Sequence, residues 1–467
     1  MSGTKSPNGV SRRAFLTATA GSAAMFAAGS LGGFATATAL AGKPVGGGTR
    51  NPLYIPPTTS PTSLTLTEAP GVVDLGGGKL SKAWAYNGGL PGPTLVARKG
   101  DTATITLKND LPSEPTITHW HGMLVDHKND GHPMEAIGPG GIYAYSFPIL
   151  NRAALNWYHP HPHMLTGEQV ALGLAGGFII RDGLEDTLQL PGGTREVPLV
   201  LRDTDLDSAG NIVYKPRSGG WLGSYPLVNG TRNPYLAVDS ALYRFRVLGG
   251  ANARIFRLAL SNGAPFRVIG NDGGLLEASV LVANPDLAPG ERLDLLVDFR
   301  SLAVGTTIML RDLRAGWDLL EFRVARTVTD TSAIPTTLST ITPLANPVTT
   351  RDFSFDGMTK INGLEYDMQR IDFQVPFGQV ERWRFRTNGN APHPVHIHGA
   401  SFQVQTRKGG RNQVFAWERG WKDTVLLEDR ETVEVLIRFD AYKGIYLMHC
   451  HKLEHEDMGM MSNFEVI

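Results

Sequence analysis

The stretch "YLMHCHKLEHEDMGMM", residues 446–461, holds the chain's only cysteine, Cys450, between His449 and His451, with His455 and three methionines close behind. Successive side chains of a β-strand point to opposite faces, and residues two apart share a face at a spacing of about 7 Å. Read as a strand, "HCH" turns both imidazoles toward one site and the thiol toward another. Two metal centres would then flank a single strand and be joined through its bonds. A thiolate with two imidazoles and a long axial thioether is a blue-copper electron-transfer site. Cys450, a nearby histidine such as His455 and a following methionine supply most of that set.

Working outward, all 13 histidines fall in two regions, with none between His163 and His393. All but His127 and His132 form the clusters "HWHG" (119–122), "WYHPHPH" (157–163), "HPVHIHG" (393–399) and "HCHKLEH" (449–455). Each H-x-H on a strand delivers two imidazoles to one site, and imidazole-only sets suit copper in a catalytic cluster. One cysteine among so many histidines matches no closed tetrahedral zinc site. His127 and His132 in the loop "DHKNDGHP", and His163, fall outside the doublets and read as loop or satisfied core residues.

The rest of the chain agrees with short strands. Gly (54) and Pro (30) are plentiful and only 19% of the 467 residues are charged, a mixture of turns and strands rather than long helices. Lys+Arg and Asp+Glu balance at 44 each, without long runs of one sign, which argues against nucleic acid as a partner. Strand-rich blocks are expected over 42–185, 186–326 and 350–467, with a Thr/Pro/Ser-rich linker at 327–349. "YRFRV" and "RWRFR" alternate apolar and basic residues with period 2 and look like equivalent strands of a duplicated unit. The expected fold is all-β, in three sandwich domains.

Residues 1–41 read as a transport signal. Arg12 and Arg13 in "SRRAFL" precede a weakly apolar run with no charge until Lys43, and "ALA" at 39–41 offers small residues for cleavage near Ala41. This resembles a twin-arginine signal, so the Tat export machinery is an expected partner and the mature chain is expected to be periplasmic or secreted. No second apolar segment of spanning length is visible, so no stable membrane insertion is expected. A lone thiol in an oxidising compartment is a liability unless a metal occupies it.

With these four clusters in this order, the sequence resembles the multicopper oxidases, the family of laccases, bilirubin oxidases and bacterial cuprous oxidases, from about residue 60 to the end. The resemblance implies three cupredoxin-like sandwiches or barrels and four coppers: one type 1, one type 2 and two type 3. It implies Cys450, His393 and His455 as type 1 ligands, with Met460 axial. It gives His119 and His396 to type 2, and His121, His159, His161, His398, His449 and His451 to the type 3 pair. Asp130 and Glu456 match positions where bacterial members place proton-relay acids.

The implied reaction is one-electron oxidation of a phenol or aromatic amine at the type 1 site, coupled to four-electron reduction of O2 to water at the trinuclear cluster. The alternative is oxidation of a metal ion, Cu(I) or Mn(II). Cuprous oxidases carry a Met-rich insert before the third domain, whereas only Met309, Met358 and Met368 are scattered through that region here. A non-enzymatic copper-binding relative is the reading from another class, opposed by the full ligand set. Nitrite reductase is opposed by the eight cluster histidines.

Overall fold

The computed structural model describes residues 49–387, 389 and 392–467, so the expected signal at 1–41 lies outside the described residues. The strands group along the chain into three pairs of sheets. Residues 58–181 form a four-stranded and a five-stranded sheet, residues 196–327 a seven-stranded sheet and five strands of a six-stranded one, and residues 349–466 two five-stranded sheets. The sheets stay open rather than closing into barrels. The fold is all-β and cupredoxin-like, as expected. The short strand Asn51–Pro52 crosses over to pair with Pro234–Ser240 in the middle set. No helix among the described residues is long and apolar enough to cross a membrane.

Each set repeats one motif. Thr102–Asn109 lies between Leu64–Asp74, parallel, and Ile142–Pro148, antiparallel. Leu242–Gly249 lies likewise between Glu196–Leu206 and Arg292–Asp298. Val380–Arg386 lies between Thr349–Asp356 and Glu431–Arg438. "YRFRV" and "RWRFR" therefore occupy equivalent strands, as their pattern predicts. Their basic faces differ in fate. Leu242–Gly249 is buried on both sides, because Arg244 and Arg246 are covered by Glu185 from the connecting segment and by Glu196 and Asp294.

Between the paired sheets of each set lies its own apolar core: Leu66, Ile105, Trp120 and Phe178 in the first, Phe245, Leu295 and Phe322 in the second, Trp383, Phe402 and Phe464 in the third. Burial of such large side chains contributes roughly 1.5–3 kcal/mol each. The histidine-bearing strands are Thr118–His121 and Ala154–Pro160 of the first set, and His393–Ile397 and Gly444–Cys450 of the third. Register aligns them: His119 is opposite His159, and His396 opposite His449.

Candidate metal centre

Strand parity sorts the third-set ligands. Val395 is opposite Cys450 and faces the core with it, so His393, two residues earlier, shares that side while His396 and His398 turn to the other. After Cys450 the chain turns into the short helix Leu453–Asp457, which carries His455 back to the thiol. His393 Nδ1 lies 3.4 Å from Cys450 Sγ, His455 Nδ1 lies 3.7 Å from it, and the two nitrogens are 3.2 Å apart. Three donors around one ion with bonds of about 2.0–2.3 Å would stand ~3.5–4 Å apart, and this triangle is close to that size. Burial pushes the Cys450 thiol up to about 12. In such a site the thiolate forms only against a cation. Burial, with Lys452 adding to it, lowers His393 to about 3 and His455 to about 2, so both rings are neutral at pH 7 with lone pairs to offer. Met460 is fully buried in the same cluster as Cys450, and its carbonyl accepts from the Cys450 N–H at 3.1 Å.

On the other side, His119, His121, His159, His161, His396, His398, His449 and His451 converge, each no more than 1% exposed. Most are held by their outer nitrogen. His119 Nδ1 donates to the Asp130 carbonyl (2.6 Å), His159 Nδ1 to the Pro160 carbonyl (2.9 Å) and His396 Nδ1 to the Asp423 carbonyl (2.9 Å). Their Nε2 atoms are left to point inward. His119 Nε2 then meets His396 Nε2 at 3.4 Å, and His449 Nε2 meets those of His398 at 3.1 Å and His161 at 3.4 Å. Desolvation foremost lowers His119, His121, His396, His398 and His451 well below the usual imidazole range, His159 to about 4 and His161 to about 3. Buried lone pairs facing one another repel unless cations lie between them. The donor set therefore fits metal at both sites.

Of the two acids singled out by sequence, Asp130 reaches this cluster at an outer nitrogen and Glu456 at one outer and one inward nitrogen. Asp130 Oδ2 accepts from His398 Nδ1 at 2.7 Å. Glu456 Oε2 lies 3.0 Å from His449 Nδ1, and its Oε1 lies 3.5 Å from His161 Nε2. Both carboxyl groups are buried. The three histidines read as structural stay outside these groups. His132 is buried between Asn463 Oδ1 (2.9 Å) and the Met134 N–H, His127 is half-buried, and His163 packs edge-on to Tyr366.

Family models described as multicopper oxidase match residues 69–185 and 334–467. The chain is 35% identical to the bilirubin oxidase of Albifimbria verrucaria, over 81% of this chain and 72% of that protein. It is 32% identical to the cell division protein FtsP of Dickeya dadantii, over 89% of this chain and 92% of that one. The crystal structure of the multicopper oxidase McoA of Aquifex aeolicus superposes with a TM-score of 0.84 at 36% identity, covering 90% of this chain and 99% of that one. The chain belongs to the multicopper oxidases. Membership makes it a copper oxidoreductase by family, and the family uses O2 with a reducing substrate.

In this multicopper oxidase one group escaped sequence reading. Asp423 and Thr424, in "GWKDTVLL", are buried beside the imidazoles, with Asp423 Oδ1 3.1 Å from His121 Nε2. His121 is thereby held by Nε2 and has Nδ1 free, the reverse of its neighbours. An acid at the mouth of the all-buried strand Thr424–Leu427 was the available signal, a charge where the pattern predicts core.

Proposed function

We propose that this chain is a laccase-like oxidase, taking single electrons from phenols or aromatic amines beside Cys450 and reducing O2 to water among the eight imidazoles. Copper, when bound, supplies the one-electron couple at the thiolate and the four-electron reduction at the imidazole cluster. Cys450, His393, His455 and Met460 would hold the type 1 ion. His119 and His396 would hold type 2. His161, His398 and His449 form one type 3 set, and His121, His159 and His451, whose ring centroids lie within 5.8 Å of one another, form the second.

The observation that carries this reading is the strand Gly444–Cys450. Cys450 belongs to one donor set, while His449 and His451, its covalent neighbours, belong to the other. An electron accepted at the thiol side reaches the imidazole side through a few bonds. Asp130 holds the His398 ring by its outer nitrogen, Glu456 stands 3.0 Å from the outer nitrogen of His449, and both can hand protons inward. Export by the twin-arginine route is part of the proposal and rests on Arg12 and Arg13.

Oxygen consumption by the copper-loaded protein with a panel of phenols, Cu(I), Fe(II) and Mn(II) tests the reading. Phenols are expected to drive O2 uptake. Uptake with metal ions alone would move the chain to the metal-ion oxidases, and copper binding without uptake to the non-enzymatic relatives. Cys450→Ser should lose the intense visible absorption and the uptake together, because a hydroxyl is a poor soft ligand. An active Cys450→Ser enzyme would sink the assignment.

A further inference from the structure

The middle pair of sheets carries no histidine, yet its turn at 288–292 touches the imidazole cluster directly. Gly290 has φ +82°, and a Cβ there would lie 3.0 Å from His121 Cε1 and 3.0 Å from His451 Cδ2. Backbone from the second set is thus pressed against rings from the first and third, at a distance and conformation that suit glycine alone. Two residues on, Arg292 is buried and all five of its N–H donors are engaged. Nε donates to the Leu155 carbonyl (3.0 Å), and Nη1 to the Gly290 carbonyl (2.8 Å) and Asp423 Oδ1 (2.6 Å). Nη2 donates to the Asp272 carbonyl (3.1 Å) and to Asp423 Oδ2.

The carboxylate gripped by this fork is the one that holds the rings. Asp423 Oδ1 is 3.1 Å from His121 Nε2 and accepts from the Thr424 hydroxyl at 2.9 Å. That hydroxyl is 3.1 Å from both His121 Nε2 and His396 Nδ1, and the Asp423 carbonyl accepts from His396 Nδ1. The chain on either side is anchored as well. Asp272 accepts from the Arg292 N–H at 2.7 Å and from Lys422 Nζ at 2.8 Å. His121 of the first set, Asp423 and His396 of the third and Arg292 of the second therefore meet at one carboxylate.

We propose that the turn 288–292 is the third wall of the imidazole cluster, with Arg292 a positioning residue that sets His121 and His396 through Asp423, and Gly290 the contact that seats His121 and His451. The inference rests on the proposed copper cluster and assigns the histidine-free middle set a part in building it. A bidentate guanidinium fixes the plane of a carboxylate, which an ammonium does not. Removal of such outer partners weakens metal binding by roughly 10–100-fold.

The test compares the full-length parent with Arg292→Lys, Gly290→Ala and Arg407→Lys. Arg407 is a buried guanidinium of the third set, paired with Glu418 and Glu431, and it touches none of the histidines. Copper affinity is read by chelator competition. The blue absorbance reports the thiolate site, while the type 2 electron paramagnetic resonance signal and total copper report the imidazole cluster. Arg292→Lys should lower affinity at the cluster ~10–100-fold and alter the type 2 signal, with the blue site unchanged, and Arg407→Lys should leave both sites as in the parent. A cluster in Arg292→Lys equal to the parent's, or an equal loss in Arg407→Lys, would overturn the proposal. If Arg292→Lys does not fold, Gly290→Ala decides: selective loss at the cluster supports the wall, and parent-like binding overturns it. Failure of the underlying copper reading would show in the parent itself, as a chain that takes up no copper on its imidazoles.

Discussion

Met460, Met458 and Met461 offer the same sulfur chemistry, and only their surroundings separate them. Met460 shares the buried cluster of Cys450, Met458 is half-buried, and Met461 starts the strand Met461–Val466 opposite His449. Met460→Leu should keep the blue colour and raise the type 1 reduction potential, since a weak donor to Cu(II) is lost. Redox titration of the equivalent leucine variants at 458 and 461 should show far smaller shifts, and a shift confined to Met461→Leu would place the register one residue off. At Asp130 the relevant contact is the 2.7 Å bond from His398 Nδ1. Asparagine can still accept that bond but cannot relay a proton as an acid does. Asp130→Asn should leave anaerobic reduction by substrate fast and slow reoxidation by O2, by ~10²-fold at the lower end of general acid–base contributions. Stopped-flow absorbance separates the two half-reactions, and slowed reduction with parent-like reoxidation would move Asp130 to the substrate side.

Among elements, the strand Leu64–Asp74 supports the ligand strand Thr118–His121 through one buried acid. Thr118 Oγ1 donates to Glu68 Oε1 at 2.8 Å, and Tyr86 packs its hydroxyl 3.1 Å from the same Thr118 oxygen. Burial raises the Glu68 carboxyl to about 7 against the bonds from Thr116, Thr118 and Tyr86. A folded-state value above the unfolded one means that the folded chain holds the proton more tightly, so this stability is fully present below about pH 4.5 and is lost as pH rises through 7. The loss amounts to about 3 kcal/mol at most, from some two and a half units at 1.36 kcal/mol each. Urea midpoints of metal-free protein should fall more steeply between pH 4.5 and 7.5 in the parent than in Glu68→Gln. Parallel curves would show that Glu68 titrates normally.

Across the whole molecule, the sets are joined by buried charge as well as by apolar surface. Glu185, in the segment after the first set, bonds Arg244 Nη1 at 2.6 Å and also pairs with Arg246, both from the middle set. Glu185→Gln leaves two buried guanidiniums short of one negative charge, and breaking such a pair costs about 3–5 kcal/mol. Urea denaturation should show a loss of that order that changes little between low and high salt, because buried pairs are poorly screened. A loss under 1 kcal/mol, or one abolished by salt, would mean that the joint is wet.

The strand parity of "HCH", the four histidine clusters and the histidine-free middle were enough to place two donor sets on either side of Gly444–Cys450, because period 2 is a local property of the chain. Glycine, proline and alternating patterns likewise carried the all-β fold, since each acts over a few residues. Arg292 and Gly290 carried no such mark, and Asp423 only a charge at the head of an apolar run. Their roles come from side chains 131 residues apart meeting in one buried place, as Arg292 and Asp423 do. Which nitrogen of His121 faces inward was equally illegible, for it is set by the carboxylate behind the ring. Local periodicity decides what a strand presents, while burial and long-range pairing decide what holds it there.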